Sequence, residues 1–151
     1  MARSPKAPTF QLDRSFTYRL HFLSKLTDQE SLRSYPEATG LSMSDGRCLT
    51  TVGTFEPLSV NDLARFSNLT KSQASRAAQA LVDRGLVRKD DHPGDGRGVV
   101  LSLTPSGSAL WRTAMALVEQ RNQAILGCLT ADEQAQLSTL LDRLISHNQR
   151  A

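Results

Sequence analysis

The sequence predicts a mainly α-helical chain with one small β-hairpin, an α+β fold class. Apolar residues recur at helical spacing in most segments, and several Ser or Thr residues stand where a helix N-terminus is expected. Two short segments with alternating apolar residues flank the Gly-rich sequence DDHPGDGRG, a pattern typical of two strands and their connection. The 151 residues suffice for a hydrophobic core without a disulfide or a metal staple.

The composition excludes several classes of protein. The net charge of +3 tolerates a polyanionic partner without requiring one. Cys48 and Cys128 match no metal-ligand spacing, so we expect no metal and no cofactor. No apolar run approaches about 20 residues, and the basic, Pro-rich start MARSPKAPTF lacks the apolar segment of a secretion signal. We therefore expect a cytoplasmic protein with free thiols, in which residues 1–11 form a flexible arm.

The first helix is predicted from Leu12 to about Thr27. Apolar residues recur near helical spacing here and form a broad stripe, which predicts burial against more than one partner. The segment 31–42 contains Pro36 and Gly40, two residues that interrupt helices. We therefore predict a loop or a broken helix after the first helix.

A helix is also predicted from Ser44 to Phe55, with Pro57 ending the segment. The periodicity of this helix directs four apolar residues inward. They are Cys48, Leu49, Val52 and Phe55.

The next helix begins at Ser59 with a capping box, SVND. In such a box the Ser59 hydroxyl accepts from the Asp62 amide, while the Asp62 carboxylate returns to the Ser59 amide. Asn68 and Leu69 form the turn that ends this helix. Its inward residues are expected to be Leu63, Ala64 and Phe66.

A second capping box, TKSQ, opens a helix at Thr70, and Gly85 stands where a left-handed C-cap is expected. Strands are then predicted at Val87–Lys89 and 99–103, joined by a long Gly-rich tip. The buried side of the helix is expected to hold Ala74, Ala77, Ala78, Leu81 and Val82.

Two long helices complete the chain. Thr104 caps one that has Pro105 at its first position, where the missing amide costs nothing, and this helix continues to about Gly127. Thr130 opens the last helix with a third capping box, TADE. The first and the last two helices carry apolar stripes too wide for one small lobe to cover, so we expect a homodimer.

The helix from Lys71 to Arg84 presents chemistry that suits a DNA major groove. Gln pairs with adenine and Arg with guanine through two hydrogen bonds each, and Ser donates to a base or a phosphate. Thr70 stands at the positive end of the helix dipole, where phosphates bind. The alternative is an ordinary solvated helix face. The outward residues are Lys71, Ser72, Gln73, Ser75, Arg76 and Gln79.

The tip of the hairpin carries Asp95, Gly96 and Arg97. A single arginine on a loop suits the minor groove, where the electrostatic potential is most negative. Asp95 then orients Arg97 by an ion pair. The alternative is a surface ion pair of about 0–1 kcal/mol, but the neighbouring helix favours a wing that contacts DNA.

The order of elements, TKSQASRAAQALVDRGLVRK and DHPGDGRGVVLSLTPSG together resemble the MarR family of winged helix-turn-helix regulators. The resemblance spans residues 12–147, and its most specific parts are Gly85–Val87, the Asp-x-Arg of the wing and the Leu-Thr-x-x-Gly at 103–107. One departure is Gly96, which stands where many members have the first of two consecutive arginines. The phosphate contact or ion pair that such an arginine would make is therefore not expected at this position.

The resemblance implies the organisation of the chain. Residues 12–43 and 105–151 are the dimerisation helices, and residues 44–104 form the winged helix-turn-helix lobe that binds DNA. Each wing and each recognition helix then contacts half of a pseudo-palindrome. The function implied is a sequence-specific transcriptional regulator, a repressor released from double-stranded DNA by a small effector.

The resemblance also implies an effector pocket between the two lobes, often for phenolic or other aromatic carboxylates. Arg19 lies beside apolar residues of the first helix and offers a planar fork suited to a carboxylate. Tyr35 and Trp111 are candidates for an aromatic wall. The alternatives are an ion pair of Arg19 across the dimer and ordinary packing of the two aromatic rings.

The sequence offers three alternatives to this function. Oxidation of Cys48 or Cys128 is a second switching mechanism, although buried packing is the favoured interpretation of both cysteines. No nucleophile motif accompanies the three histidines and no phosphate loop follows a strand, so an enzyme is not expected. A winged-helix module that binds only protein is the remaining alternative, favoured if neutralising Arg76 and Arg97 leaves DNA binding unchanged.

Overall fold

The computed structural model describes residues 10–91 and 98–150. A two-stranded hairpin is embedded in a mainly helical chain, as the sequence predicts. After a 3₁₀ turn at Leu12–Arg14, the elements are α1 (Phe16–Thr39), α2 (Met43–Phe55), α3 (Val60–Ser67), α4 (Lys71–Asp83), β1 (Val87–Asp91), β2 (Val99–Leu103), α5 (Pro105–Ile125) and α6 (Ala131–Gln149).

The helix α1 is longer than predicted and passes straight through Pro36. The prediction of a loop or broken helix over residues 31–42 is wrong for 31–39, because Tyr35 and Thr39 are buried between the helices and their packing outweighs the interruption. Gly40 is the residue that ends α1, with a left-handed φ of 70° and its N–H donating to the Pro36 carbonyl at 2.9 Å.

The helix starts follow the side-chain caps. At Thr70 and Thr130 the reciprocal capping boxes form as predicted, with Gln73 and Glu133 returning to the cap amides at 3.0 and 2.8 Å. At Ser59 only half of the predicted box forms. Ser59 accepts from the Asp62 N–H, whereas the Asp62 carboxylate contacts Arg65, because Asp is shorter than the Glu or Gln of a full box.

The core lies in the middle of the chain, where α2, α3, α4 and the hairpin meet. The strands pair antiparallel, with Val87 opposite Leu103. Leu58 forms an isolated antiparallel bridge with Leu101 on the other side of β2. The α4 side of this core is made of the small predicted residues, although Val82 is only half-buried. The largest fully buried side chains are Leu41, Leu49, Leu63, Leu81 and Leu101.

Two aromatic residues expected in the core lie at the surface. Phe55 is 49% exposed and Phe66 is 40% exposed, so their predicted inward orientation is wrong. The two rings stack on each other with their centroids 4.7 Å apart, at the ends of α2 and α3. The polar Ser67 is buried instead, because its hydroxyl donates to the Leu63 carbonyl within α3.

The terminal helices leave much apolar surface uncovered. Within the described chain, α6 has no buried residue. The apolar side chains of α1 and α6 that are at least 36% exposed are Phe16, Tyr18, Leu20, Phe22, Leu23, Leu26, Leu32, Leu137, Leu140, Leu141, Leu144 and Ile145.

Candidate nucleic-acid interface

The helix α4 separates a buried alanine-rich face from a polar face. Ala74, Ala77 and Ala78 pack against α2 and α3, and their small side chains bring α4 close to the core. The opposite face is exposed at every position that the sequence predicted to contact DNA. These positions are Thr70, Lys71, Ser72, Gln73, Ser75, Arg76 and Gln79.

In the first turn of α4, some polar groups are hydrogen-bonded within the helix and others have no partner in it. Thr70 and Gln73 satisfy each other, since the Thr70 Oγ1 accepts from the Gln73 N–H at 3.1 Å and the Gln73 Oε1 accepts from the Thr70 N–H. The amides of Lys71 and Ser72 precede the first hydrogen bond within the helix, from Ala74 to Thr70, and have no helical partner. An anion at this end of the helix meets two backbone donors and the positive end of the helix dipole.

Farther along α4, Gln79 contacts other side chains. Its Nε2 donates to Asp83 Oδ1 at 2.8 Å, and its Oε1 accepts from Lys89 Nζ at 2.7 Å. Lys89 was not among the predicted residues, because its contact with Gln79 depends on how β1 docks on α4. The Gln79–Asp83 pair has the i,i+4 spacing that was visible in the sequence.

The hairpin extends beside α4. The prediction of two strands is confirmed, and β1 runs two residues beyond the predicted Lys89. The proposed minor-groove contacts Asp95 and Arg97, with the departure at Gly96, lie in residues 92–97, outside the described residues.

A second contact holds the C-terminal end of α4. Arg84 Nη1 donates to the Gly40 carbonyl at 3.1 Å, which joins the end of α4 to the end of α1. Gly85 follows with a left-handed φ of 70°, as predicted for a C-cap glycine.

The three candidate effector residues lie in three different places. Tyr35 is buried and lines a cavity of about 180 Å³ between α1, α2 and α5. Arg19 lies in an exposed apolar groove formed by α1 and α6. Trp111 packs over Gly53, and its Nε1 donates to the Thr50 carbonyl at 3.2 Å.

The cavity beside Tyr35 has two arginines in its lining that the sequence analysis missed. Arg47 pairs with Asp28, and Arg121 Nη2 donates to the Thr27 carbonyl at 2.7 Å. Burial raises the pKa of the Tyr35 phenol, an effect that the Arg47 charge partly opposes. No local spacing indicated these arginines, because they come from α2 and α5 and meet only in the folded chain.

The two cysteines differ in access. Cys48 is fully buried, and desolvation raises the pKa of its thiol to about 11, although Ser67 partly opposes this. A thiol with a raised pKa holds little of the reactive thiolate at neutral pH. Cys128 is exposed, so the interpretation of this residue as buried packing is wrong for the single chain.

Within residues 10–91 and 98–150, no group of three or more His, Cys, Asp and Glu side chains is placed to hold a metal ion. Among the helices in these two ranges, none is both long and apolar enough to cross a membrane.

Comparison with known proteins agrees with this geometry. The sequence model of the MarR family matches residues 39–98. The HTH-type transcriptional repressor Rv2887 of Mycobacterium tuberculosis is 30% identical over 105 residues, covering 70% of this chain and 76% of that protein. The multiple antibiotic resistance protein MarR of Escherichia coli is 26% identical over 127 residues, covering 83% of this chain and 88% of that protein.

Solved structures share the arrangement of the helices and the hairpin. A MarR/EmrR family regulator from Acinetobacter sp. ADP1 superposes with a TM-score of 0.83 at 22% identity, covering 94% of this chain and all of that chain. The reduced form of MarR from Escherichia coli superposes with a TM-score of 0.69 at 25% identity, covering 86% of this chain and 96% of that chain. The fold is therefore a winged helix-turn-helix, and the chain belongs to the MarR family of transcriptional regulators.

Proposed function

We propose that this chain is a sequence-specific DNA-binding repressor that acts as a homodimer and is released by a small effector. The observation that carries the proposal is the exposed polar face of α4 on a capped helix, directly beside a two-stranded hairpin. The major groove admits one α-helix, and the side chains on this face suit base edges and phosphates. Repressor is also the function named for the Mycobacterium tuberculosis relative.

Dimerisation follows from the uncovered apolar residues of α1 and α6. Proteins rarely expose apolar patches this large unless a partner covers them. We assign residues 12–43 and 105–151 to the dimer and 44–104 to DNA binding. A two-fold dimer places its two α4 helices on half-sites about 10 base pairs apart or a multiple of that spacing.

Within each half-site, we assign the base contacts to Ser72, Ser75 and Arg76 of α4. Thr70, Lys71 and Gln73 lie at the helix start, where we expect phosphate contacts. Arg97, oriented by Asp95, remains the proposed minor-groove contact.

We place the effector in the cavity beside Tyr35. Arg47 and Arg121 supply two guanidinium groups for a carboxylate, and the Tyr35 ring supplies an aromatic wall. A volume of about 180 Å³ suits a single aromatic ring, since an apolar cavity of about 150 Å³ holds benzene. Arg19 and Trp111 do not line this cavity, so Tyr35 is the one earlier candidate retained.

The test of DNA binding starts from a duplex library with about 20 randomised base pairs. The full-length protein is expected to enrich one pseudo-palindrome, and fluorescence anisotropy of that duplex should show affinity falling steeply with salt. Arg76→Ala and Arg97→Ala should each cost about 1–3 kcal/mol in binding free energy. Arg33→Ala, which removes an exposed arginine of α1, should leave affinity unchanged. The proposal would be contradicted if no sequence were enriched, or if Arg76→Ala and Arg97→Ala bound the enriched duplex as tightly as the wild type and Arg33→Ala.

The test of the effector site uses the same labelled duplex. DNA binding of one structural neighbour, Bordetella bronchiseptica BpsR, is regulated by 6-hydroxynicotinic acid, so this acid and salicylate are suitable probes. We expect an acid of this type to release the DNA from the wild-type protein, and Arg47→Met and Arg121→Met to bind DNA but resist release. Release of all variants at the same acid concentration would place the effector elsewhere.

A further inference from the structure

Gln79 has both polar atoms of its side-chain amide engaged by other side chains. Its Oε1 accepts from Lys89 at 2.7 Å, and its Nε2 donates to Asp83 at 2.8 Å. A glutamine reads adenine by presenting these two atoms together to the edge of the base. In this arrangement both atoms are already held by charged groups, and pairing with a base would have to use their remaining donor and acceptor positions or break these contacts.

The position of Gln79 along α4 agrees with a role other than base contact. It lies eight residues after Lys71, about 12 Å along the axis at 1.5 Å per residue. Recognition helices contact base edges mainly through their N-terminal residues. Ser72, Ser75 and Arg76 occupy that part of α4.

Lys89 belongs to β1 and connects this strand to α4. On one face of β1, Arg88 pairs with its neighbour Asp90 at 3.0 Å. Lys89 lies between them in sequence, and alternation along the strand turns its side chain to the other face, toward Gln79. The contact therefore joins the recognition helix to the first strand of the wing, just before the tip.

The side chains of Lys89, Gln79 and Asp83 form a chain of two hydrogen bonds, with the amide of Gln79 between the two charged groups. The Lys89 ammonium meets the amide oxygen, and the Asp83 carboxylate meets the amide nitrogen. Each end is a charge-assisted hydrogen bond, and the amide in the middle is polarised in the same direction by both. Rotating the amide by half a turn would oppose both charges, so its orientation is set.

We propose that Gln79 is a positioning residue that, with Lys89 and Asp83, sets the angle between α4 and the wing and does not read a base. The proposal depends on the proposed DNA-binding function. A protein that contacts the major groove through α4 and the minor groove through its wing must place both elements at once. A change in their angle therefore weakens binding to every sequence by the same factor.

The test compares base preference with overall affinity. The duplex enriched by the wild-type protein and its single-base-pair variants are titrated with the wild type, Gln79→Ala, Lys89→Met and the double variant. We expect Gln79→Ala to weaken binding to all duplexes by about 1.4- to fivefold, the range for a contact between exposed side chains, with the ratios between duplexes unchanged. The double variant should bind like each single variant, because the two residues act through one contact.

Three controls separate the alternatives. Gln29→Ala, the same substitution at an exposed position of α1, should bind like the wild type. Urea unfolding of Gln79→Ala should stay within about 1 kcal/mol of the wild type, so that the variant remains folded in the binding assay. If the wild type enriches no sequence, the DNA-binding function itself fails, before any variant is made.

Three results would overturn the proposal while leaving DNA binding intact. A loss of preference at one base pair in Gln79→Ala would make Gln79 a base-reading residue. Additive effects of Gln79→Ala and Lys89→Met, or wild-type affinity in both, would mean that their contact does not set the angle.

Discussion

Replacing Gly107 by alanine is expected to destabilise the chain, because the added Cβ has no space. The Cβ would lie 1.8 Å from the Leu86 carbonyl oxygen and 2.8 Å from the Leu86 carbonyl carbon. Both atoms are backbone, so no side-chain rotation removes the overlap. The same carbonyl accepts from the Thr104 N–H at 3.1 Å, and the Gly107 N–H donates to the Thr104 hydroxyl that caps α5.

The magnitude follows from three terms. Overpacking of a close backbone contact costs about 1–3 kcal/mol. Displacing Leu86 also weakens the hydrogen bond from Thr104, worth about 1 kcal/mol. In the opposite direction, alanine in place of glycine inside a helix raises the stability of the folded chain by about 0.5–1 kcal/mol. We therefore expect the free energy of unfolding to fall by about 1–3.5 kcal/mol.

Urea unfolding followed by circular dichroism measures this loss. Protein concentration must be the same for each variant, because the stability of an associating chain depends on it. Ser106→Ala changes an exposed residue in the same turn of α5 and should stay within about 0.5 kcal/mol of the wild type. A Gly107→Ala protein within the same limit would refute the argument and would mean that Leu86 can move away from α5 at no cost.

Four further predictions concern the thiols, a helix cap and the cavity. At pH 8, Ellman's reagent should modify Cys128 quickly and Cys48 only after unfolding, because burial raises the pKa of Cys48 to about 11; two fast thiols would contradict this. Since the raised pKa favours the protonated thiol in the folded state, the contribution of Cys48 to stability is complete below about pH 9. About 2–3 kcal/mol of it is lost as the pH rises to 11, so urea unfolding of the wild type and Cys48→Ala should converge over this range. Thr130→Ala should lower the free energy of unfolding by about 1 kcal/mol through loss of the α6 cap, and an unchanged urea midpoint would show that the cap contributes nothing. A double-mutant cycle of Asp28→Asn and Arg47→Met should give a coupling below about 1 kcal/mol, because both side chains are about one-third exposed; a larger value would indicate a drier cavity.

Local signals in the sequence predicted the elements that depend on neighbouring residues. The starts of α4 and α6 follow from Thr70 and Thr130, whose partners lie three residues along the chain. The end of α4 follows from Gly85, since few other residues adopt its left-handed backbone. Such features need no knowledge of the tertiary structure.

The errors arose where distant parts of the chain determine the outcome. Pro36 disfavours a helix locally, but the burial of Tyr35 and Thr39 keeps α1 intact. The apolar character of Phe55 predicted burial, yet its ring is 49% exposed and stacks on Phe66 at the surface. The spacing of apolar residues shows which face of a helix is apolar. It does not show how much of that face the rest of the fold covers.

The same distinction between local and distant signals applies to the candidate site. The exposed face of α4 follows from one helix and its period, so its members were found. The cavity beside Tyr35 unites residues from three helices, and the arginines that line it are separated by more than 70 positions in the sequence. Arg19 was predicted because it lies beside apolar residues of the first helix, but the fold places it in an exposed groove.

The helix α1 connects the three regions to which the proposed function assigns a role. Its 24 residues span about 36 Å, and its N-terminal half carries the exposed apolar face proposed for the dimer. The middle of α1 supplies Asp28 to the cavity, and at its end the Gly40 carbonyl accepts from Arg84, directly after the recognition helix. A ligand that separates Asp28 from Arg47 would therefore displace a helix that is anchored at the dimer and bonded to the end of α4. In the proposed dimer, a tilt of α1 started at the cavity would displace Gly40 more than Asp28, and this would change the spacing of the two α4 helices.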